Sequence, residues 1–89
     1  MLAHAIVTGQ VQGVGFRYTA QQHAEQYNLK GWVQNQPDGS VELEVEGEDS
    51  QVESFLQKLR KGFSPSIHVH DIEVTTQQKE QGFRRFSIK

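Results

Sequence analysis

The segment "QPDGSVELEVEGE" (residues 36–48) restricts the fold of this 89-residue chain more than any other stretch. Its "PDG" is typical of a tight turn, and after the turn Val41, Leu43 and Val45 alternate with glutamates. The preceding "KGWVQN" supplies a partner strand, so the two segments together predict a β-hairpin. One face of this hairpin is therefore apolar and the other is acidic.

Two amphipathic helices are predicted, one before and one after this hairpin. From Phe16 to about Asn28, four apolar residues recur with the period of one helix face, namely Phe16, Ala20, Ala24 and Tyr27. The second helix is "DSQVESFLQKLRKG", in which Ser50 and Glu53 have the spacing of a capping box. Gly62 is expected to follow the end of this helix.

Three further strands complete the pattern, in "LAHAIVTGQV", "SPSIHVHDIEVTT" and "GFRRFSIK". In "SPSIHVHDIEVTT" the alternation of apolar and polar residues shifts by one position around Asp71, which predicts a β-bulge or a strand that starts late. The order βαββαβ with a short C-terminal strand predicts an α+β, ferredoxin-like sandwich, with an antiparallel sheet and two helices on one face. In that topology the first two strands are parallel, so Arg17 and Asn35 are expected at the same end of the sheet.

Composition excludes several classes of protein. A net charge of -2 at pH 7 argues against a nucleic-acid partner, which would require a basic face. The chain has no cysteine, so thiolate nucleophiles, disulfides and zinc-thiolate sites are absent. The opening "MLAHAIVTG" has neither a basic start nor an uninterrupted apolar run, so we expect no signal peptide, no membrane association and a cytoplasmic location. A monomer is the default expectation.

The loop "GQVQGVGFR" (residues 9–17) is the candidate binding segment. A turn from a strand into a helix presents free N–H groups and the positive end of the helix dipole, which favour an anion. The guanidinium of Arg17 can bind two phosphate oxygens at once. Taken alone, the motif favours the simpler interpretation, a tight turn at Gly13 and Gly15 with Arg17 as a surface residue. It lacks the lysine of a P-loop and the third glycine of a dinucleotide site.

The other polar residues give weaker signals. Asn35 ends the second strand, where its amide could orient a water molecule or simply favour the turn. His68 and His70 lie two apart on one strand, but no third ligand is evident, so no metal and no cofactor are expected. His4 and His23 are isolated and are interpreted as packing or surface residues.

At this point "GQVQGVGFR" and "KGWVQNQPDGSVELEVEG" resemble the two signature segments of the acylphosphatases. The resemblance covers the length, the order of elements, the spacing between Arg17 and Asn35, and the closing strand, and it implies a single acylphosphatase-like domain over residues 1–89. One departure is Gln34, which stands where many members of that family carry a basic residue. Another is the segment "KGFSPSIHVHDIEV", which is only loosely similar. Both departures concern the choice of acyl group.

The resemblance implies hydrolysis of an acyl phosphate, a small-molecule substrate, to a carboxylate and inorganic phosphate. It implies that Arg17 binds the phosphate, that Asn35 positions the attacking water, and that backbone N–H groups assist from Gln12, Gly13, Val14, Gly15, Phe16 and Arg17. A non-catalytic ferredoxin-like module for RNA, for ligand sensing or for carrier work is the alternative. The RNA version would need aromatic residues on central strands, which "AHAIVTG" and "SVELEVEG" do not have.

Overall fold

A computed structural model describes residues 1–89 as one five-stranded sheet with two helices. In chain order the elements are β1 (Leu2–Gln10), α1 (Phe16–Gln26), β2 (Lys30–Asn35), β3 (Val41–Glu46), α2 (Asp49–Arg60), β4 (His68–Gln77) and β5 (Phe86–Ile88). The strand order across the sheet is β4-β1-β3-β2-β5. β5 runs parallel to β2, and the other neighbouring pairs are antiparallel. The predicted ferredoxin-like fold is confirmed.

Both helices contribute to one hydrophobic core with the sheet. Alternate residues of β1 and β3 are buried, whereas the residues between them are partly exposed, as the apolar-acidic alternation predicts. The helices bury one stripe each, consisting of Phe16, Ala20 and Ala24 in α1 and of Val52, Phe55, Leu56 and Leu59 in α2. Because β1 and β2 are parallel on either side of β3, the segments that follow them leave the sheet at the same end.

The predicted capping box at the start of α2 is wrong. The helix begins at Asp49, and the N-cap is Glu48, which makes no side-chain capping bond. Ser50 lies inside the first turn, where its backbone is already helical and cannot act as the cap. The carboxylate of Asp49 in this turn instead complements the positive end of the helix dipole.

The end of α2 follows the prediction. Gly62 has a left-handed φ of 78°, and its N–H donates to the carbonyl of Leu59 at 2.9 Å. The N–H of Phe63 donates to the carbonyl of Lys58 at 3.0 Å, which completes a Schellman motif. At the end of α1, Asn28 lies two residues beyond the helix with a φ of 62°, a conformation that asparagine tolerates.

The change of parity in β4 is a β-bulge. Thr8 of β1 pairs with Asp71, and Gly9, the next residue, pairs with Val69, so His70 has no partner. A Cβ at position 9 would lie 2.3 Å from the carbonyl oxygen of His68, so only glycine fits beside the bulge. The predicted irregularity near Asp71 is thus confirmed.

The second face of the sheet carries no helix. Its central strands present Glu42 and Glu44 from β3 and Ile6 from β1, all partly exposed. His4 pairs with this acidic surface through a distance of 2.6 Å between its Nε2 and Oε2 of Glu42. Neither helix of the protein is both long and apolar enough to span a membrane.

Candidate active site

The loop from β1 into α1 is built to leave backbone donors free. Gly13 and Gly15 have φ values of 77° and 78°, and Gly15 is the N-cap of α1 without any side-chain cap. No N–H of residues 12–17 donates a backbone hydrogen bond within the chain. A Cβ at Gly13 or Gly15 would meet no heavy atom within 4 Å, so the space beside the loop is open. Free N–H groups at a helix start favour an anion in that space.

Arg17 and Asn35 both line a cavity of about 220 Å³ at this end of the sheet. Arg17 lies in the first turn of α1, and Asn35 is the last residue of β2, paired with Val41 of β3. The parallel arrangement of β1 and β2 brings them to one end of the sheet, as expected from the topology. Gly13 and Gly15 also line the cavity.

The charge of Arg17 is not neutralised within this cavity. No aspartate or glutamate lines it, and Arg17 is its one cationic lining residue. Its Nη1 donates a hydrogen bond to the main-chain carbonyl of Lys89 at 3.0 Å, which fixes the direction of the guanidinium. An arginine side chain stays protonated at ordinary pH, so this guanidinium remains a cation that can bind an anion in the cavity.

The side chain of Gln12 ties the loop to the hairpin turn. Its Nε2 donates to the carbonyls of Gln36 and Ser40, both at 2.8 Å. The turn is also closed by Asp38, whose Oδ1 accepts from the hydroxyl and the N–H of Ser40. These hydrogen bonds, the hydroxyl's foremost, hold the pKa of Asp38 below its ordinary value. The turn that follows Asn35 is therefore connected directly to the glycine loop.

β5 closes the site from the other side. Ile88 pairs with Val33 of β2, and it lines the cavity. The segment before β5 is anchored by Glu46, a buried residue whose carboxylate accepts three N–H bonds, at 2.7, 3.0 and 2.8 Å, from Gln81, Gly82 and Phe83. A buried carboxylate with three charge-assisted hydrogen bonds is well satisfied, so it fixes this segment firmly.

The histidines lie away from the cavity. His68 and His70 are exposed beside Gly9 and Gln10, in a separate shallow cleft. No group of three or more histidine, aspartate or glutamate side chains is arranged to hold a metal ion. The ring of His23 stacks on a phenylalanine after α2, and burial, with a smaller contribution from a nearby lysine, lowers its pKa.

Gln34 also lies outside the cavity. Its Nε2 donates to Oε1 of Glu42 at 3.3 Å, on the face of the sheet without helices. The departure from the family pattern at this position therefore leaves the lining of the cavity unchanged.

Four contributors to the site were missed by sequence reasoning. These are Val11, Tyr18 and Ile88, which line the cavity, and the main-chain oxygen of Lys89, which orients Arg17. The one available signal was the position of Tyr18 directly after Arg17, since both belong to the exposed first turn of α1. Nothing in the local sequence links residues 88 and 89 to a loop that lies some seventy positions earlier.

The structure defines a small two-layer α+β protein with an open glycine loop and an arginine at one end of its sheet, and comparison with known proteins gives the family. The acylphosphatase family model matches residues 3–88. An acylphosphatase of Bacillus pumilus is 48% identical over 86 residues, covering 97% of this chain and 94% of that protein. The crystal structure of acylphosphatase from Bacillus subtilis superposes with a TM-score of 0.93 at 46% identity, over 100% of this chain and 99% of that one.

A third similarity is to part of a larger protein. Full-length HypF, in a phosphate- and nucleotide-bound crystal structure, matches with a TM-score of 0.82 at 30% identity. All of this chain is covered, but only 12% of that one. The chain belongs to the acylphosphatase family and is an enzyme of the hydrolase class, as the resemblance implies.

Proposed function

We propose that this protein hydrolyses the carboxyl-phosphate bond of acyl phosphates, giving a carboxylate and inorganic phosphate by direct attack of water. The observation that carries the proposal is the cavity shared by Arg17, Asn35 and the glycine loop with its free N–H groups. Membership of the acylphosphatase family supports the same reaction.

In this proposal the phosphate occupies the open space beside Gly13 and Gly15. The N–H groups of residues 12–17 and the guanidinium of Arg17 bind its oxygens, and all of these donors are in place before the substrate arrives. Phosphoryl transfer passes through a loose transition state in most analyses, so positioning and charge stabilisation supply most of the catalysis. The carbonyl of Lys89 and the side chain of Gln12 act as positioning groups for Arg17 and the loop.

Asn35 orients the attacking water. Its exposed amide lies at the end of β2 beside the same cavity, where it can bind a water molecule in line with the departing carboxylate. The water must lose a proton, and no aspartate, glutamate or histidine lines the cavity. A phosphate oxygen of the substrate is therefore the proposed acceptor of this proton.

The same lining explains the choice of leaving group. A carboxylate, whose parent acid has a pKa near about 4, departs without protonation, whereas an alkoxide needs a general acid. None of the cavity residues is a carboxylic acid or a histidine that could supply this proton. We therefore expect acyl phosphates to react much faster than phosphate esters.

The test is to measure kcat/KM for benzoyl phosphate, p-nitrophenyl phosphate and an alkyl phosphate at one pH. We expect the values to fall in that order, with the alkyl ester inert, although all three carry a terminal phosphate for the same loop. Comparable values would mean that a proton donor or a covalent step takes part. No turnover of benzoyl phosphate, with phosphate still bound, would favour the alternative, a non-catalytic carrier or ligand-binding module. The single domain, the monomeric state and the cytoplasmic location stay predictions.

A further inference from the structure

The large apolar residues most exposed on this protein gather at one place. They are Val14, Tyr18 and Ile88, with 40%, 60% and 41% of their surfaces exposed. Tyr18 and Ile88 line the candidate active site, and Val14 lies in the glycine loop between Gly13 and Gly15. Single exposed apolar residues scattered over a surface need no explanation, but a concentration at the mouth of a cavity indicates an apolar ligand.

Two of these side chains are held in position before any ligand binds. The hydroxyl of Tyr18 accepts a hydrogen bond of 2.8 Å from Nε2 of Gln22, one turn along α1. Ile88 is fixed by the pairing of β5 with β2, and the N–H of Lys89 donates to the carbonyl of Val33 at 2.8 Å. A ligand group that contacts them therefore loses little binding free energy to the ordering of side chains.

The charges around the cavity also favour an uncharged ligand group beside the phosphate. Arg17 is the one cation of its lining and is assigned to the phosphate. The ammonium of Lys89, the residue after Ile88, lies 4.4 Å from the centre of the Trp32 ring. The other residues that line the cavity are uncharged, so an anionic acyl group would find no second cation in the lining.

We propose that the acyl half of the substrate is uncharged and apolar, preferably aromatic, and that Tyr18 and Ile88 bind it beside Val14. This inference rests on the proposed function, and it names the class of acyl group that the site selects. An aromatic ring gains contact with the tyrosine ring and the isoleucine side chain, whereas an acetyl group offers only one methyl group for such contact.

The experiment measures kcat/KM for benzoyl, acetyl and 4-carboxybenzoyl phosphate with the wild type and with Tyr18→Ser and Ile88→Ser. We expect the ratio of kcat/KM for benzoyl phosphate to kcat/KM for acetyl phosphate to fall about 3- to 10-fold in each serine variant. This is at or below the smallest discrimination typical of an apolar pocket, because the cavity is open to solvent. Ile88→Val is the matched control and should keep the wild-type ratio, whereas Tyr18→Phe, which keeps the ring but loses the bond to Gln22, should lower the ratio less than Tyr18→Ser does. In the wild type, 4-carboxybenzoyl phosphate should react more slowly than benzoyl phosphate.

Competitive inhibition by inorganic phosphate shows whether the site is intact in each variant. An unchanged inhibition constant with a lower ratio supports the inference, because the phosphate half of the site is then untouched. An unchanged ratio in both serine variants would overturn it, and so would equal rates for the charged and uncharged aromatic substrates. Wild-type protein that hydrolyses none of the three would instead overturn the proposed function.

Discussion

The two edges of the sheet are built in opposite ways. β4 is ten residues long and pairs with β1 through nine residue pairs, whereas β5 has three residues and pairs with β2 through three. No residue of β4 lines the candidate active site, but Ile88 of β5 does, and the carbonyl that follows it orients Arg17. The long edge supplies ladder hydrogen bonds for stability, and the short edge completes the site.

This difference predicts where the protein is easiest to perturb. A three-residue strand contributes few ladder bonds, so its position depends on side-chain anchors such as Glu46. Regions with few backbone hydrogen bonds open at lower free energy than the core. Changes near β5 should therefore loosen the short edge and the site before they loosen β4, and the predictions below run from the largest expected effect to the smallest.

Arg17→Gln should have the largest effect on activity. The cavity loses its one cation, and we expect kcat/KM for an acyl phosphate to fall about 10³-fold, with weaker inhibition by phosphate. The free energy of unfolding should change by about 1 kcal/mol or less, since one partly exposed hydrogen bond to Lys89 is lost. Kinetics and denaturant unfolding measured on the same preparation check both values.

Arg17→Lys is the matched control for this prediction. It keeps the charge but loses the planar guanidinium, so we expect only part of the activity to return. Wild-type saturation by substrate in Arg17→Gln would show that another group binds the phosphate.

Asn35→Ala should lower kcat by about 10²-fold, the cost of losing one positioned polar group. Phosphate binding should remain close to that of the wild type, because Arg17 and the glycine loop are unchanged. Titration with phosphate by calorimetry measures this directly. Loss of phosphate binding together with activity would indicate a collapsed cavity instead.

Glu46→Gln tests the anchor of the short edge. The glutamine side chain offers the N–H groups of residues 81–83 one acceptor oxygen fewer and no negative charge. We therefore expect the free energy of unfolding to fall by about 1–3 kcal/mol. Amide exchange should rise in β5 before it rises in β4. Glu44→Gln, on the same strand and face but with a partly exposed side chain, is the control and should behave like the wild type.

The smallest effect is expected at His23, which lies in α1 and does not line the cavity. Its pKa in the folded protein is below the ordinary 6.5, chiefly because of burial and also because of Lys58. The unfolded chain therefore binds this proton more tightly, and stability falls as the pH drops below about 6.5 towards the folded pKa. His23→Phe, which keeps the ring beside Phe63, should unfold with a weaker pH dependence over this range, as urea titrations can show. An unchanged pH dependence would contradict the prediction.

The features that could be predicted from the sequence are those encoded locally. The "PDG" turn with its alternating strand, the glycine after α2 and the parity change at Asp71 each depend on residues that are neighbours in the chain. The capping role predicted for Ser50 was wrong because the helix already begins at Asp49, whose carboxylate suits the positive end of the helix dipole. Arg17 and Asn35 were found because the fold order fixes the end of the sheet to which each belongs.

The rest of the candidate site depends on contacts between distant residues. The side chain of Gln12 reaches carbonyls in the hairpin turn, and the guanidinium of Arg17 reaches the carbonyl of Lys89. Every residue has a main-chain carbonyl, so the sequence does not show which carbonyl accepts a side-chain hydrogen bond. The exposed apolar rim at Tyr18 and Ile88 becomes visible only when α1 and β5 are seen together.

The bulge at His70 has a consequence for encounters between copies of this protein. A long, flat edge strand offers a row of unpaired N–H and C=O groups to which another strand can add, and this is a common start of aggregation. In β4 the bulge interrupts that row and increases the local twist, and the exposed carboxylates of Asp71 and Glu73 add like charges along it. Two copies that meet at this edge thus find mismatched partners and mutual repulsion, which makes it a poor template for fibre growth in concentrated solution.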